Sequence, residues 1–287
     1  MFNIVLLLIV VRRWRFALLV WLQPGRLHQF RRHDRCACRG ERRMWGPINM
    51  SVTLAQDFVG ATIRSSVAPT LDRDGYAVLR GVAKRSEIAE MREAIAPLLE
   101  RADVRKRELG ERGGAPQIVE VQRIIELAPR LATNGFVQRA QAISAELLGA
   151  PVERNFDHII FKPARNMKET AWHQDAAYSK RLTFTAKRLH WWLPLHDVSE
   201  DQSCMRYVPG THRAQVARHV PVAATSDALR TDLPEGAKVV SCPLNEGDAT
   251  IHLPNTLHAT GPNLTDRSRT AFIVQFSART FFPRFAR

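Results

Sequence analysis

The chain has 287 residues, 45% of them hydrophobic and 24% charged, which is enough for one large domain or two small ones. These values exclude a disordered or collagen-like chain, and four cysteines are too few for a disulfide scaffold, so a reducing, cytoplasmic location is expected. The net charge is +14, of which residues 1–49, with ten arginines and two acids, carry +8. No basic run interleaved with aromatic residues follows, so no nucleic-acid partner is expected.

The first 49 residues differ from the rest of the chain. Two apolar runs, residues 2–11 and 16–22, are separated by three arginines and a tryptophan, whereas a membrane span needs roughly 20 uninterrupted apolar residues. A secretory signal would carry its charges before a single apolar run. We therefore predict a basic and apolar extension that is disordered or not translated, with a peripheral membrane anchor as the alternative. Membrane contact is expected only if this extension belongs to the native protein, and the folded domain is expected over residues 50–287.

The first part of that domain, about residues 50–149, is predicted to be mainly helical. A short apolar strand at 74–82 precedes an amphipathic helix that follows Ser86, where apolar residues recur at helical spacing. Further helices are predicted over about 117–132 and over 135–148, and Gly149 ends the second of these.

From about residue 150 the pattern changes to that of β-strands. Short segments rich in β-branched and aromatic residues are bounded by Pro, Gly, Asn and Asp; they cover residues 155–164, 188–198, 204–210, 238–244, 247–254 and 269–278. Strands at such spacing without intervening helices predict an antiparallel sandwich or barrel over about 150–280. The expected fold class is α+β, with a helical first third packed on a β-barrel.

Three residues from two distant segments form a candidate metal site. In an extended chain, His173 and Asp175 of the stretch AWHQDAAY project from the same face. His258 would be brought beside them by closure of the barrel. Two histidines and one carboxylate are the facial triad of non-haem Fe(II) oxygenases, which leaves coordination positions for a cosubstrate and O₂.

Arg269 is the candidate anchor for that cosubstrate. It lies eleven residues after His258 and opens the apolar run RTAFIVQF. Its planar guanidinium can bind a carboxylate through two hydrogen bonds, as anchoring a dicarboxylate such as 2-oxoglutarate requires. Arg267 has the same strand parity and remains an alternative, but a desolvated guanidinium at Arg269 has the greater need of a permanent anionic partner.

From about Phe58 to Phe276 the sequence resembles the phytanoyl-CoA dioxygenase family of Fe(II)/2-oxoglutarate oxygenases. Four motifs carry the resemblance in order: DRDGYAVLRGV, WHQDAAY, YVPGTHR and LHATGPNLTDRSR. The resemblance implies a double-stranded β-helix (a jelly-roll, cupin-like barrel) with N-terminal helices buttressing its major sheet. It also implies Fe(II), 2-oxoglutarate and O₂ as reactants, with ascorbate as a reductant.

The family's site residues are carried over position by position. The implied metal ligands and catalytic residues are His173, Asp175 and His258, and the implied cosubstrate contacts are Arg269, Thr260, Trp191 and His158. The implied reaction is hydroxylation of a small organic substrate, coupled to decarboxylation of 2-oxoglutarate to succinate and CO₂. No pattern indicates an oligomeric state.

The sequence departs from the family at two places. Gln202 and Ser203 replace a usual Asn-Gly turn, which we interpret as a loop variation. Glu120 stands near a lysine that acyl-CoA members use for 2-oxoglutarate, which argues against an acyl-CoA substrate. By contrast, Asp175 retains the carboxylate that halogenating relatives lack, which favours hydroxylation.

Two other classes of function remain open. One is a cupin-like metalloenzyme that acts without 2-oxoglutarate, and the other is a non-catalytic ligand-binding barrel. Lys162 is expected either to face the site or to cap the barrel rim. The remaining candidate histidines are expected on the surface or in the core: His196, His212, His219 and His252.

Overall fold

The computed structural model describes residues 52–53, 65–109, 118–178, 187–224, 226 and 228–278. Residues 48–287 belong to one unit. The predicted extension, with its boundary at residue 49, lies outside the described residues. In the described part of the chain, no helix is both long enough and apolar enough to cross a bilayer.

The described helices are α1 (Ala68–Asp74), α2 (Arg85–Glu100), α3 (Ile124–Leu127) and α4 (Gly135–Leu148). The strands are β1 (Val52–Thr53), β2 (Tyr76–Arg80), β3 (Lys106–Leu109), β4 (Ile118–Gln122), β5 (Val152–Lys162), β6 (Thr170–His173), β7 (Arg188–Pro194), β8 (Met205–Tyr207), β9 (Val220–Pro221), β10 (Leu229–Arg230), β11 (Val240–Cys242), β12 (Ala249–His252), β13 (His258–Thr260) and β14 (Arg269–Ala278).

The strands form a major and a minor sheet. The major sheet has the order β1-β2-β12-β7-β14-β5-β4-β3, and the minor sheet has the order β11-β8-β13-β6. All pairings are antiparallel except β1 with β2, and β9 pairs with β10 in a separate hairpin. Strands that are distant in sequence lie side by side, as in the double-stranded β-helix, so the predicted fold class is confirmed.

Side-chain alternation along the major sheet creates two separate cores. On β7, Trp191 packs towards the helices, whereas Trp192 packs towards the minor sheet. On β14, Val274 and Ile273 divide in the same way. Because successive strand residues point to opposite faces, the major sheet becomes the middle layer between the helices and the minor sheet.

The two long helices follow their sequence signals. In α2 the buried positions recur at helical spacing, and Glu87 accepts a hydrogen bond from the Lys84 amide at 2.9 Å. In α4 the Asn134 side chain accepts from the Phe136 amide at 3.1 Å, and Gly149 ends the helix at φ +70°. This left-handed backbone favours glycine. Both helices are thus confirmed close to their predicted limits.

The helix predicted over 117–132 is wrong. Residues Ile118–Gln122 form β4, which pairs with β5, and only α3 and a 3₁₀ turn at Pro129–Thr133 follow it. The segment IVEVQ alternates with a period of two: Val121 packs under the helices, whereas Glu120 lines a cavity on the other face. The first third of the domain therefore contributes strands to the major sheet and is not purely helical.

Candidate active site

The predicted metal ligands converge where two short strands of the minor sheet meet. His173 ends β6, His258 begins β13, and the two are directly paired across the strands. Asp175 follows in a 3₁₀ turn. The Nε2 atoms of His173 and His258 lie 3.7 Å and 3.8 Å from oxygens of Asp175. The three side chains could therefore hold one metal ion.

Both histidines are held with one ring nitrogen available to a metal. Nδ1 of His173 donates to the Ala171 carbonyl, and Nδ1 of His258 donates to the Thr256 carbonyl, each at 2.8 Å. The lone pair of each ring therefore lies on Nε2, as metal ligation requires. Burial and the neighbouring imidazole lower the pKa of each ring to about 4, so both are neutral at pH 7.

Asp175 supplies the negative charge. Burial by itself raises the pKa of this carboxyl, but the attraction of His190 and His258, with hydrogen bonds from His190 and His252, holds it well below its usual value. The group is therefore ionised at neutral pH. Two neutral imidazoles and one carboxylate suit Fe(II), and no thiol takes part.

Two further histidines hold the same carboxylate. His190 Nδ1 lies 2.8 Å from Asp175 Oδ2, and His252 Nε2 lies 3.0 Å from that oxygen. The expectation for His252 is met only in its burial, since it faces the site rather than packing as an ordinary core residue. A signal was present in the sequence: on the central strand β12, His252 alternates with apolar residues that pack under the helices.

A cavity of about 300 Å³ lies between the two sheets. Its walls include the metal group and most of the predicted cosubstrate contacts: His173, Asp175, His258, Thr260, His158 and Arg269. Side chains from both sheets line it, so closure of the two sheets brings these residues together.

Arg269 is a buried cation in the wall of this cavity. The residue is 1% exposed, and burial lowers its pKa to about 10, so it remains charged at neutral pH. Its guanidinium donates at 3.3 Å to the Ile160 carbonyl and at 3.4 Å to Ser203 Oγ. Among the described residues, Nε has no hydrogen-bond partner and no carboxylate pairs with the group. A buried charge without a counter-ion is costly, so Arg269 is suited to bind an anion.

Lys162 lies beside Arg269 on the neighbouring strand. The two residues are paired in register across β5 and β14. Lys162 Nζ lies within hydrogen-bond distance of the Gly261 carbonyl at 2.6 Å, Ser203 Oγ at 2.9 Å and Thr260 Oγ1 at 3.3 Å. Burial and the charge of Arg269 lower its pKa to about 6. Lys162 is 0% exposed, so it does not cap an exposed rim; it reaches the cavity indirectly, through its contact with Thr260, which lines the wall.

The tryptophan prediction is corrected by one position. Trp191 lies on the helix side of the major sheet, where its Nε1 donates to Ser144 Oγ at 2.8 Å. The cavity is lined by Trp192 instead, and the Arg269 guanidinium lies 5.5 Å from the centre of its ring. Sequence alternation places one of two adjacent tryptophans inside, but it does not say which one. Arg267 is exposed and does not line the cavity, so it does not share the position of Arg269.

Ser203 was missed as part of the site. Its hydroxyl accepts from Lys162 Nζ and from the Arg269 guanidinium, and it donates to the Gly261 carbonyl at 2.6 Å. It also adopts φ +69°, a left-handed conformation that favours glycine. The substitution interpreted as a loop variation therefore places a hydroxyl between Lys162 and Arg269.

A group of polar side chains surrounds Glu120 at another part of the cavity. His158 Nδ1 lies 2.6 Å from one carboxylate oxygen, and Arg107 and Gln122 donate to the other at 2.9 Å and 3.1 Å. Burial by itself raises the pKa of Glu120, but the hydrogen bond and charge of His158 outweigh it and lower the pKa. His158 is thus held by Glu120 on the cavity wall.

The fold and the donor set together define the class of 2-oxoglutarate-dependent oxygenase-type enzymes. A family model described as Phytanoyl-CoA dioxygenase (PhyH) matches residues 71–271. The chain belongs to that family. The predicted resemblance is thereby confirmed.

A known protein is similar to part of this chain. The phytanoyl-CoA dioxygenase domain-containing protein 1 of Bos taurus is 29% identical over 121 residues, which are 39% of this chain and 40% of that protein. The match thus spans well under two thirds of the bovine protein.

Solved structures extend the comparison over most of the chain. EvdO2 from Micromonospora carbonacea var. aurantiaca, complexed with 2-oxoglutarate, is 27% identical, covers 82% of this chain and 98% of its own, and gives a TM-score of 0.65. SnoN, a non-haem α-ketoglutarate-dependent epimerase from nogalamycin biosynthesis, is 28% identical over 77% and 84% of the two chains, with a TM-score of 0.61. EctD from S. alaskensis, at 19% identity and a TM-score of 0.62, shares the fold.

Proposed function

We propose that this protein hydroxylates a small organic substrate with Fe(II) and 2-oxoglutarate. The observation that carries the proposal is Arg269, a buried guanidinium in the wall of the cavity that holds the His-Asp-His group; no carboxylate of the described residues pairs with it. A cupin-like enzyme that acts without a dicarboxylate has no use for such a cation. A structural role would require a counter-ion or a full set of hydrogen bonds.

Each group then has a defined task. His173, Asp175 and His258 would hold the iron, which, with 2-oxoglutarate and O₂, would supply the oxidation and release succinate and CO₂. Arg269 binds the distal carboxylate of the cosubstrate, and the Thr260 hydroxyl is a second donor on the same wall. Trp192 covers the guanidinium and excludes water from it.

The remaining cavity wall receives the substrate. It combines apolar side chains with the polar group around Glu120; the apolar members include Leu109, Ile118, Phe156, Val222 and Leu229. Glu120 stands near the position at which acyl-CoA members carry a lysine, which supports a small organic molecule rather than an acyl-CoA. Asp175 occupies the ligand position that a halide would need, which supports hydroxylation over halogenation.

The test is an anaerobic titration of the full chain with Fe(II) and 2-oxoglutarate, followed by the visible charge-transfer band of the iron-bound keto acid. We expect a band in the wild type and none in His173→Ala. In Arg269→Ala the band should need at least tenfold more 2-oxoglutarate. His212→Ala is the matched control, since His212 binds the Asp72 carbonyl outside the cavity. Iron binding without a band would contradict the use of 2-oxoglutarate, and absence of iron binding would support a ligand-binding barrel.

The hydroxylation itself needs a second readout. Candidate substrates are incubated with the iron-loaded protein, 2-oxoglutarate and O₂, with ascorbate as reductant. We expect equimolar succinate and a product that has gained one oxygen atom. Succinate with an isomerised or cyclised product would keep the cosubstrate and contradict hydroxylation.

A further inference from the structure

Asp175 belongs to two overlapping groups of potential ligands. One contains His173 and His258, and the other contains His190 and His252. In the first group, each Nδ1 is bound to a backbone carbonyl two residues earlier, so Nε2 is available to a metal. The second group is arranged differently, because both rings direct a nitrogen at one oxygen of Asp175.

That oxygen, Oδ2, is already saturated. It lies 2.8 Å from His190 Nδ1 and 3.0 Å from His252 Nε2. A carboxylate oxygen has two lone-pair sites, and an ionised carboxylate only accepts, so both ring nitrogens must carry protons. No hydrogen bond between described residues reaches Oδ1, which lies 3.7 Å from His173 Nε2, whereas His258 Nε2 lies 3.8 Å from Oδ2. Oδ1 is therefore the oxygen whose lone pairs are left for a metal.

The two histidines stand on rigid elements. His190 on β7 and His252 on β12 are paired in register in the major sheet, and both are at most 7% exposed. Tyr207 Oη lies 3.2 Å from His252 Nδ1 and 2.8 Å from Thr250 Oγ1. With the proton of His252 on Nε2, Nδ1 is an acceptor that faces the Tyr207 hydroxyl, and this hydroxyl is itself held by its hydrogen bond to Thr250 Oγ1.

We propose that His190 and His252 are positioning residues that occupy Oδ2 of Asp175 and so make this carboxylate bind the metal through Oδ1 alone. The proposal rests on the proposed metal site at His173, Asp175 and His258. A carboxylate that binds through one oxygen takes one coordination position rather than two. The position left free is then available to the cosubstrate or to O₂.

The experiment uses the full chain, stripped of metal and titrated anaerobically with Co(II), whose visible spectrum reports the number and arrangement of ligands. The variants are His252→Leu and His190→Leu, which delete the donors, and His252→Gln, which retains an N–H donor. We expect one Co(II) per wild-type chain. The Leu variants should bind it 10- to 100-fold more weakly and with a changed spectrum, and His252→Gln should recover most of both.

A second variant guards against misfolding. Tyr207→Phe keeps the ring that stacks on Tyr76 at a centroid distance of 4.3 Å but removes the hydroxyl behind His252. It should weaken Co(II) binding in the same direction by a smaller factor. Tyr76→Phe is the matched control. It should leave Co(II) affinity and spectrum unchanged, because it is the hydroxyl of Tyr207, and not that of Tyr76, that lies beside His252 Nδ1.

The outcomes separate this proposal from the proposed function. Wild-type affinity and spectrum in His252→Leu and in Tyr207→Phe would overturn the positioning role while leaving the metal site intact. Two Co(II) ions per wild-type chain, one of them lost in His190→Leu, would overturn it in favour of a second metal site. A wild-type chain that binds no Co(II), or one that binds it equally after His173→Ala, would contradict the metal site itself.

Discussion

The two faces of the major sheet are built from the same strands but differ in chemistry, because the face towards the minor sheet combines an apolar cluster with buried ionisable side chains. Towards the helices, Trp191, Phe272 and Val274 form a continuous apolar core. Towards the minor sheet, the intervening positions include His190 and Arg269. Strand alternation therefore lets one sheet serve two purposes. One face stabilises the fold, whereas the other holds buried ionisable groups that lower its stability.

The largest expected effect falls on the apolar face. Trp191 is fully buried, packs edge-on against Phe136 at 5.8 Å and donates a hydrogen bond to Ser144. We expect Trp191→Ala to lower the free energy of unfolding by about 3–5 kcal/mol, measured by urea denaturation. Iron binding by the folded fraction should be unchanged, and altered Fe(II) affinity in fully folded protein would contradict the division between the faces.

Lys162 should make the stability of the protein depend on pH. Its pKa is about 6 in the folded protein and 10.5 ordinarily, so between these values the unfolded chain holds a proton that the folded chain lacks. Stability should therefore rise with pH in this window, by up to about 1.4 kcal/mol per unit. We expect the free energy of unfolding of the wild type, relative to Lys162→Met, to increase from pH 6.5 to 8.5. Parallel pH profiles for the two proteins would contradict it.

Arg269 tests whether the charged face costs stability. Since its guanidinium is buried and no carboxylate in the described segments pairs with it, Arg269→Met should stabilise the ligand-free protein by about 1–3 kcal/mol. The same variant should lose the stabilisation that 2-oxoglutarate gives the iron-loaded wild type. Thermal denaturation with and without Fe(II) and 2-oxoglutarate measures both effects. A ligand-free variant that is less stable than the wild type would contradict a destabilising effect of the buried charge.

Ser203 gives the smallest effect. At φ +69°, a residue other than glycine carries strain, and the Ser203 hydroxyl contacts Lys162 and Arg269. Ser203→Ala loses the contacts and keeps the strain, whereas Ser203→Gly loses both. We expect the Gly variant to be more stable than the Ala variant by about 1 kcal/mol, and equal urea midpoints would argue against strain at this turn.

Local patterns allowed most of the fold and the metal group to be predicted. The strands after residue 150 and helix α4 are marked by composition, spacing and terminal residues within a few positions. His173 and Asp175 share a face by simple alternation, and Arg269 was favoured over Arg267 because it opens an apolar run. The prediction for β4 was wrong because a short run with a period of two was assigned a helical period.

What could not be predicted depends on register between distant strands. His190 and His252 meet at Asp175 only because β7 and β12 pair in one particular alignment. The choice between Trp191 and Trp192 likewise depends on a single step of register, since such a step exchanges the two faces of a strand. Nothing near Ser203 in the sequence shows that Lys162 and Arg269 lie beside its hydroxyl.

The buried Arg269 guanidinium has a consequence for how long the protein lasts in a cell. A chain with no anion beside this charge unfolds more readily, and proteases degrade the unfolded form in proportion to its population. Under the proposed function, a cosubstrate at 100 times its Kd would stabilise the folded form by about 2.7 kcal/mol. We therefore expect the number of molecules per cell to rise and fall with the supply of 2-oxoglutarate, so that metabolic state sets the enzyme's abundance as well as its rate.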